Sequence, residues 1–346
     1  MELDIMSASM ELGAMQRHAT RIEAAGFGTM WLTEAGRTAY LSAAAAGLAT
    51  KSLGIGTAVA VAFPRSPMIT ASTAWELADA TSGRFTLGLG TQIKAHVERR
   101  YSAEYAPPGP RMKEYVQSIQ AIFRAFRGEE KLAFEGDFYN FSLLPAQWSP
   151  GPIDAPNPPI FVSAVLPWMS RMAGEVCDGI HIHPFNSAEY IIQRQRPHVE
   201  EGIARAGRSL ADVTFEIPVM TPVGDTDEEL AVTREHARQM IAFYGSTRTY
   251  SPVFETHGFD GLSNQLHAKQ REGDMAGMVG LITDEILDHY TVSGSWSTLG
   301  ANLVERYRDV APTARLMTYT ASSQLKKHPD ILDRWAQVAR DVAAED

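Results

Sequence analysis

Residues 53–90, LGIGTAVAVAFPRSPMITASTAWELADATSGRFTLGLG, constrain the fold more than any other stretch of the chain. Residues 53–60 are an apolar run in which Gly54 and Gly56 let another backbone approach closely. Pro64 and Pro67 punctuate the turn, Ser66-Pro67 opens a helix over 68–81, Ser82-Gly83 ends it, and 85–90 is a second short apolar run. Two buried strands joined by a helical crossover must be parallel, and parallel sheets carry helices on their faces. Chemistry in such sheets gathers where strands give way to loops, here 57–64 and 88–96.

The same alternation runs along the chain. Further strands are expected at 3–7, 29–33, 160–164, 179–183, 213–222 and 314–319. Helices are expected at 12–25, 40–50, 111–126, 168–176, 188–206, 227–244, 284–289 and 299–310, with Gly26 and Gly207 as stops and Thr226 or Asp225 as a cap. Two regions break the rhythm: 128–159 reads as a small hairpin plus an irregular loop, and 245–280 as an irregular polar and aromatic segment. Strands alternating with helices, without linker or repeat, predict an α/β fold. It is a single (β/α)8 TIM barrel over 1–346, with insertions after strands four and seven and the tail 330–344 closing its base. A doubly wound open sheet is the alternative, disfavoured because no glycine-rich phosphate fingerprint follows the first strand.

A hydrophobic share of 45% against 21% charged residues fits a large core. The net charge of −10, with no basic run longer than Arg99-Arg100 or Lys326-Lys327, argues against nucleic acid as a partner. No run approaches the ~18 apolar residues of a membrane span. Residues 1–10 carry Glu2 and Asp4 and lack a long apolar core, so no signal peptide is expected and the expected location is cytoplasmic. Cys177, the lone cysteine, reads as a small buried apolar residue. His181 and His183 alternate on one strand and face one side, but no further ligand spacing accompanies them, so no metal is expected. Glu34, closing the apolar run MWLTE, reads either as a site carboxylate or as a salt-bridged one, and Arg65 as a salt-bridge partner holding its loop. Tyr244, Tyr250, Phe254 and His257 read as a substrate lid or a contact surface.

AAGFGTMWLTE, GTAVAVAFPRSP, SGRFTLGLGT, RMKEYVQSIQAIF, EGDFYNF and GEVCDGIHIHPF resemble, in order and spacing, the bacterial-luciferase-like superfamily. Within it, GLGTQIKAHVERR and FYGSTRTYSPVFETHG look most like the F420-dependent oxidoreductases. The resemblance implies a TIM barrel that uses the deazaflavin coenzyme F420 or, alternatively, FMN, together with a homodimer and a small-molecule substrate. It places Thr33 and Glu34 beside the tricyclic ring and a non-prolyl cis peptide between Gly56 and Val61, at Ala58-Val59 or its immediate neighbours, against the ring's back. Gly90, Thr91 and His96 fall at the cofactor after strand four, and Ser163, Ala164 and Val165 at the ribityl chain and phosphate.

Two departures from the pattern stand out. Ile93 occupies the place of a glutamate proton donor found in several F420-dependent relatives, which leaves Glu34, His96 and His183 as candidates for moving a proton. Ala164-Val165 replaces a double glycine. The implied function is hydride transfer between F420 and an organic carbonyl, alcohol, imine or activated alkene. The rivals are an FMN-dependent monooxygenase and a non-catalytic flavin-binding protein. F420 carries an anionic oligoglutamate tail, and Arg65, Lys94 and Arg171 fall near its expected exit.

Overall fold

The structure is a computed structural model that describes residues 1–319 and 330–345. Its strands are β1 (Glu2–Ser7), β2 (Thr29–Leu32), β3 (Gly54–Thr57), β4 (Ala60–Val61), β5 (Phe85–Gly90), β6 (Phe134–Glu135), β7 (Asn140–Phe141), β8 (Ile160–Ser163), β9 (Gly179–His181), β10 (Thr214–Val219) and β11 (Ala314–Thr318). β6 and β7 pair antiparallel and form the expected hairpin. The large sheet runs β3-β2-β1-β11-β10-β9-β8-β5, with β4 flanking β5 and β3 returning to pair with β5. The fold is a (β/α)8 barrel, as the alternation predicts. The Lys326-Lys327 pair lies outside the described residues.

By its internal packing the chain divides into two compact units, one comprising 6–181 and 199–213, the other 1–5, 182–198 and 214–346. In the first, the crossover of the opening motif is present. β3 is parallel to β5 (Ile55↔Phe85, Gly56↔Thr86), and the helix between them, Pro67–Ala80, begins with Pro67 while Ser66 caps it by accepting the Met68 N–H. Beyond Thr57 the register offset falls by one residue, because β4 pairs Ala60 with Leu89 and Val61 with Gly90. One extra residue is therefore accommodated between β3 and β4, the signature of a bulge. The Ala58–Val59 peptide within it is cis, at the expected position.

Large and absent side chains interlock inside this unit. A Cβ on Gly56 would lie 2.2 Å from the Trp31 ring, and His181 meets that ring edge-on at a centroid distance of 4.7 Å. Trp31 and His181 are buried, so the tryptophan does the core packing that its place in an apolar strand suggests. Burial lowers the His181 pKa to about 3, a fall that the nearby Thr57 carbonyl softens without reversing. His181 is accordingly a neutral core residue.

The second unit holds β10, β11 and the start of β1, all parallel (Leu3↔Leu316, Ile217↔Leu316). The tail helix Ile331–Ala344 buries Trp335, Val338 and Val342, and packs on the helix Leu299–Tyr307 where Gly300 leaves room beside Asp341. Region 245–280 departs from expectation: it is largely helical, with Ser251–Glu255, Leu262–Glu272 and Met275–Gly280. Gly258, Gly261 and Gly273, each at positive φ, break it into helices too short to show a clear period in sequence. Phe254, Leu266 and Tyr290 tie these helices to Phe185 and Ile241 in one buried cluster.

A buried charge group lies across β1, β10 and β11. Arg315 donates to both Asp4 carboxylate oxygens (2.7 and 3.0 Å) and pairs with Glu2 at 2.5 Å, whereas its Nε stays 3.8 Å from Glu216. Burial above all, reinforced by Asp4, pushes the Glu216 pKa well above the carboxylate range, and Arg315 does not restore it. Glu216 thus keeps a proton in the fold that it loses in the unfolded chain above about pH 4.3. Folding is then favoured by low pH, and this contribution is lost as pH rises from there toward the folded pKa. Glu216→Gln mimics the protonated form. Thermal melting from pH 5 to 9 should show a shallower decline for the variant, which should exceed the wild type by about 2 °C or more at the alkaline end.

Candidate functional site

In the first unit, polar groups collect where β2, β3, β5 and β8 end. The carboxylate of Glu34, two residues beyond β2, accepts from Arg65 through both oxygens (2.5 and 2.9 Å) and from the Val61 N–H at 2.7 Å. Its side chain is 4% exposed and that of Arg65 21%. Burial alone would raise the Glu34 pKa, but the bonds from Arg65 and Val61 outweigh it and hold the carboxyl below its usual range. Glu34 is therefore ionised, and of its two sequence readings the geometry shows the salt bridge. Arg65 also donates to the Val61 carbonyl and lies 5.0 Å over the Tyr40 ring.

Val59, Gly90 and Ser163 converge beside this pair. A Cβ on Gly90 would stand 2.4 Å from Val59 Cγ2 and 3.0 Å from Ser163 Oγ, so Gly90 is buried and its missing side chain lets Val59 pack closely against its backbone. Ala58 belongs to the bulge beside it, and Ala164 donates its N–H to the His181 carbonyl. Thr33 N–H is spent on the Ser7 carbonyl. Thr91 Oγ1 donates to the carbonyl of Gln92, which lies at φ 57°. Val165 follows Ala164 half-buried, and His96 starts a π-helical turn, His96–Arg100, with its side chain exposed.

The three basic residues considered for an anionic tail already have partners. Arg65 pairs with Glu34, Arg171 with Glu201 at 2.7 Å, and Lys94 with Glu98 at 3.7 Å. Lys94 is the loosest of these pairs, being exposed and long.

In the second unit, His183 follows β9 and is enclosed by tyrosines. Its Nδ1 accepts the Phe185 N–H at 3.1 Å, which puts the proton of the neutral ring on Nε2. Tyr250 lies against the ring at 4.4 Å and Tyr244 edge-on at 4.8 Å, while the Tyr244 and Tyr319 hydroxyls bond to each other. Burial drops the His183 pKa to about 4. Tyr319 is absent from the sequence-derived candidates. Its one signal is a polar aromatic directly after the apolar end of β11, LMT. His257 instead stacks on His289 at 4.1 Å and bonds Ser187 Oγ at 2.8 Å, apart from the His183 group.

A family model described as luciferase-like monooxygenase matches residues 2–314. The chain belongs to that family. An uncharacterised protein of Mycobacterium tuberculosis (strain ATCC 25618 / H37Rv) is 38% identical over 306 residues, covering 88% of this chain and 90% of the relative. The 5,10-methylenetetrahydromethanopterin reductase of Archaeoglobus fulgidus is 26% identical over 295 residues, covering 83% of each. Among solved structures, the coenzyme F420 dependent tetrahydromethanopterin reductase from Methanopyrus kandleri superposes with a TM-score of 0.74 at 17% identity, covering 98% of both chains. This luciferase-like chain thus shares its fold with a reductase although its family is described by monooxygenation. Among the described residues no helix is long and apolar enough to cross a membrane, and no cluster of three or more metal-ligating side chains occurs.

The Glu34–Arg65 pair gives a direct test of the strand-end architecture. Arg65→Met should destabilise the protein by about 3 kcal/mol, because it strands a buried carboxylate. Adding Glu34→Gln should recover most of that loss in denaturant melts, which an additive pair of mutations would not do.

Proposed function

We propose that this protein is an F420-dependent oxidoreductase that moves a hydride between the deazaflavin and a small organic substrate. The observation that carries the reading is the close packing of Val59 on Gly90 beside Ser163, with an ionised Glu34–Arg65 pair at the same strand ends, in a chain whose relatives include 5,10-methylenetetrahydromethanopterin reductases. The residues fit a planar tricyclic group: a flat ring needs a small apolar surface at its back, which the half-exposed Ala58 and Val59 supply, and polar atoms at its rim, which Thr33, Glu34 and Ser163 supply. Thr33 and Glu34 would meet the ring edge, Ala58 and Val59 its back, Gly90, Thr91 and His96 the side after β5, and Ser163, Ala164 and Val165 the ribityl chain and phosphate. When bound, the cofactor supplies the hydride chemistry, and the chain supplies position and electrostatics.

The proton-moving roles divide by ionisation. Glu34, held as the anion, tunes charge at the ring edge and has no proton to give. His183, neutral with its proton on Nε2, donates a hydrogen bond toward substrate. His96, exposed after β5, is the remaining candidate for moving a proton. A homodimer, suggested by the family resemblance, completes the proposal.

FMN-dependent monooxygenation is the second reading. The pairing of Arg65 and Arg171 with carboxylates favours it, since both guanidiniums are then committed away from an oligoglutamate tail. Fluorescence titration of the apoprotein with F420 and with FMN decides between them. F420 should bind at least tenfold more tightly. Tight FMN binding with no F420 binding would overturn the proposal.

A further inference from the structure

We propose that His183, Tyr244, Tyr250 and Tyr319 form an uncharged, donor-rich subsite that holds the carbonyl or hydroxyl oxygen of a neutral substrate and turns away carboxylates and phosphates. This deepens the oxidoreductase reading and rests on it for the role of the substrate, though not for the binding itself. The four side chains are brought together from β9's end, the helix Asp227–Gly245, the turn Arg248–Tyr250 and the end of β11. All four residues are half-buried.

The donors of the group are unspent. His183 Nδ1 is occupied by the Phe185 N–H, so Nε2–H is the ring's donor, and it has no acceptor among the described residues. Tyr244 and Tyr319 share one hydrogen between their hydroxyls, which leaves one O–H of the pair to point elsewhere. The Tyr250 hydroxyl has no partner among the described residues. Three donors beside aromatic rings, with no carbonyl or carboxylate bonded to them among the described residues, match an oxygen with lone pairs and an apolar body that packs on the rings.

The electrostatics narrow the ligand further. Among the described residues, no ammonium, guanidinium or carboxylate acts on any of the four; each is shifted by burial and by the others or the local backbone alone. Burial raises all three tyrosines and lowers His183, so every member is neutral across the physiological range. An anion entering here would lose water without gaining a counter-charge from the described residues, a cost that a neutral ketone avoids. Nor does the subsite serve as a strong acid: it orients and polarises an oxygen by hydrogen bonds.

Acetophenone and 4-acetylbenzoate are a matched pair of probes, a methyl ketone without and with a carboxylate. Ligand-observed NMR titration of the full chain, with and without F420, should show acetophenone bound at least tenfold more tightly, with affinity flat from about pH 6 to 9. Tyr244→Phe, Tyr319→Phe and Tyr250→Phe should each weaken acetophenone binding several-fold, with melting temperature and F420 affinity unchanged. Equal or tighter binding of 4-acetylbenzoate, no binding of either probe, or tyrosine variants that bind acetophenone like the wild type would each overturn the subsite. Failure of F420 to bind with the ketone preference intact would overturn the cofactor reading and leave the subsite standing.

Discussion

The contact between Thr57 and Gly88 sets the geometry of the strand ends. Thr57 Oγ1 donates to the Gly88 carbonyl at 2.7 Å and accepts the Gly88 N–H at 2.9 Å, so one hydroxyl takes over the ladder bonds where β3 departs from β5. No residue with a side chain fits opposite: a Cβ on Gly88 would lie 1.7 Å from the Thr57 carbonyl oxygen and 2.5 Å from His181 Nε2. With that contact in place the chain takes its extra residue at 58–59 and rejoins β5 one register later. Val61 N–H is then presented to Glu34, and Ala62 N–H to the Gly90 carbonyl. The close packing at Gly90 and the ion pair beside it are consequences of a threonine opposite a glycine.

Two kinds of polarity result, and they suit different tasks. At the ends of β2 and β4 the polarity is ionic and self-satisfied: Arg65 spends donors on Glu34, the Val61 carbonyl and the Thr38 hydroxyl, leaving a fixed dipole rather than a free charge. A pair of this kind changes the potential nearby without titrating near neutral pH, which suits it to tuning a bound group. Around His183 the polarity is neutral and unsatisfied, which suits it to accepting a ligand atom. Burial produces both outcomes. It leaves Glu34 ionised because Arg65 is within hydrogen-bond reach, and it discharges His183 because no carboxylate among the described residues acts on it.

The strands were legible because parallel strands buried on both faces must be short apolar runs, and 53–60, 85–90 and 160–164 carry little else. The helix starts were legible where a local bond enforces them, as at Ser66 and Thr226. Region 245–280 was not, because its helices take stability from Phe185, Tyr290 and Ile241, residues distant in sequence, rather than from their own periodicity. The site divides in the same way. The peptide at 58–59 was placed by motif resemblance, whereas the state of Glu34 depended on whether Arg65, 31 residues on, reached it. Tyr319 stayed hidden because its significance lies in a hydroxyl contact with Tyr244, 75 residues away, which no local pattern encodes.

Neutrality at His183 also bears on how a reaction here would handle its proton. An imidazole with a pKa near 4 is almost wholly unprotonated at pH 7, and its Nδ1 lone pair is occupied by the Phe185 N–H, so it is poorly placed as acid or base. The tyrosines, raised by burial, are reluctant to release a proton outright. Glu34 is ionised and bound to Arg65. On the proposed reading, protons that enter or leave the substrate would be relayed through hydroxyls such as the half-buried Tyr244–Tyr319 pair or by way of the exposed His96, and would not come from one stored on Glu34. The absence of a glutamate at Ile93 fits that proposal: donated hydrogen bonds would stabilise charge as it develops on an oxygen, and solvent would complete the transfer.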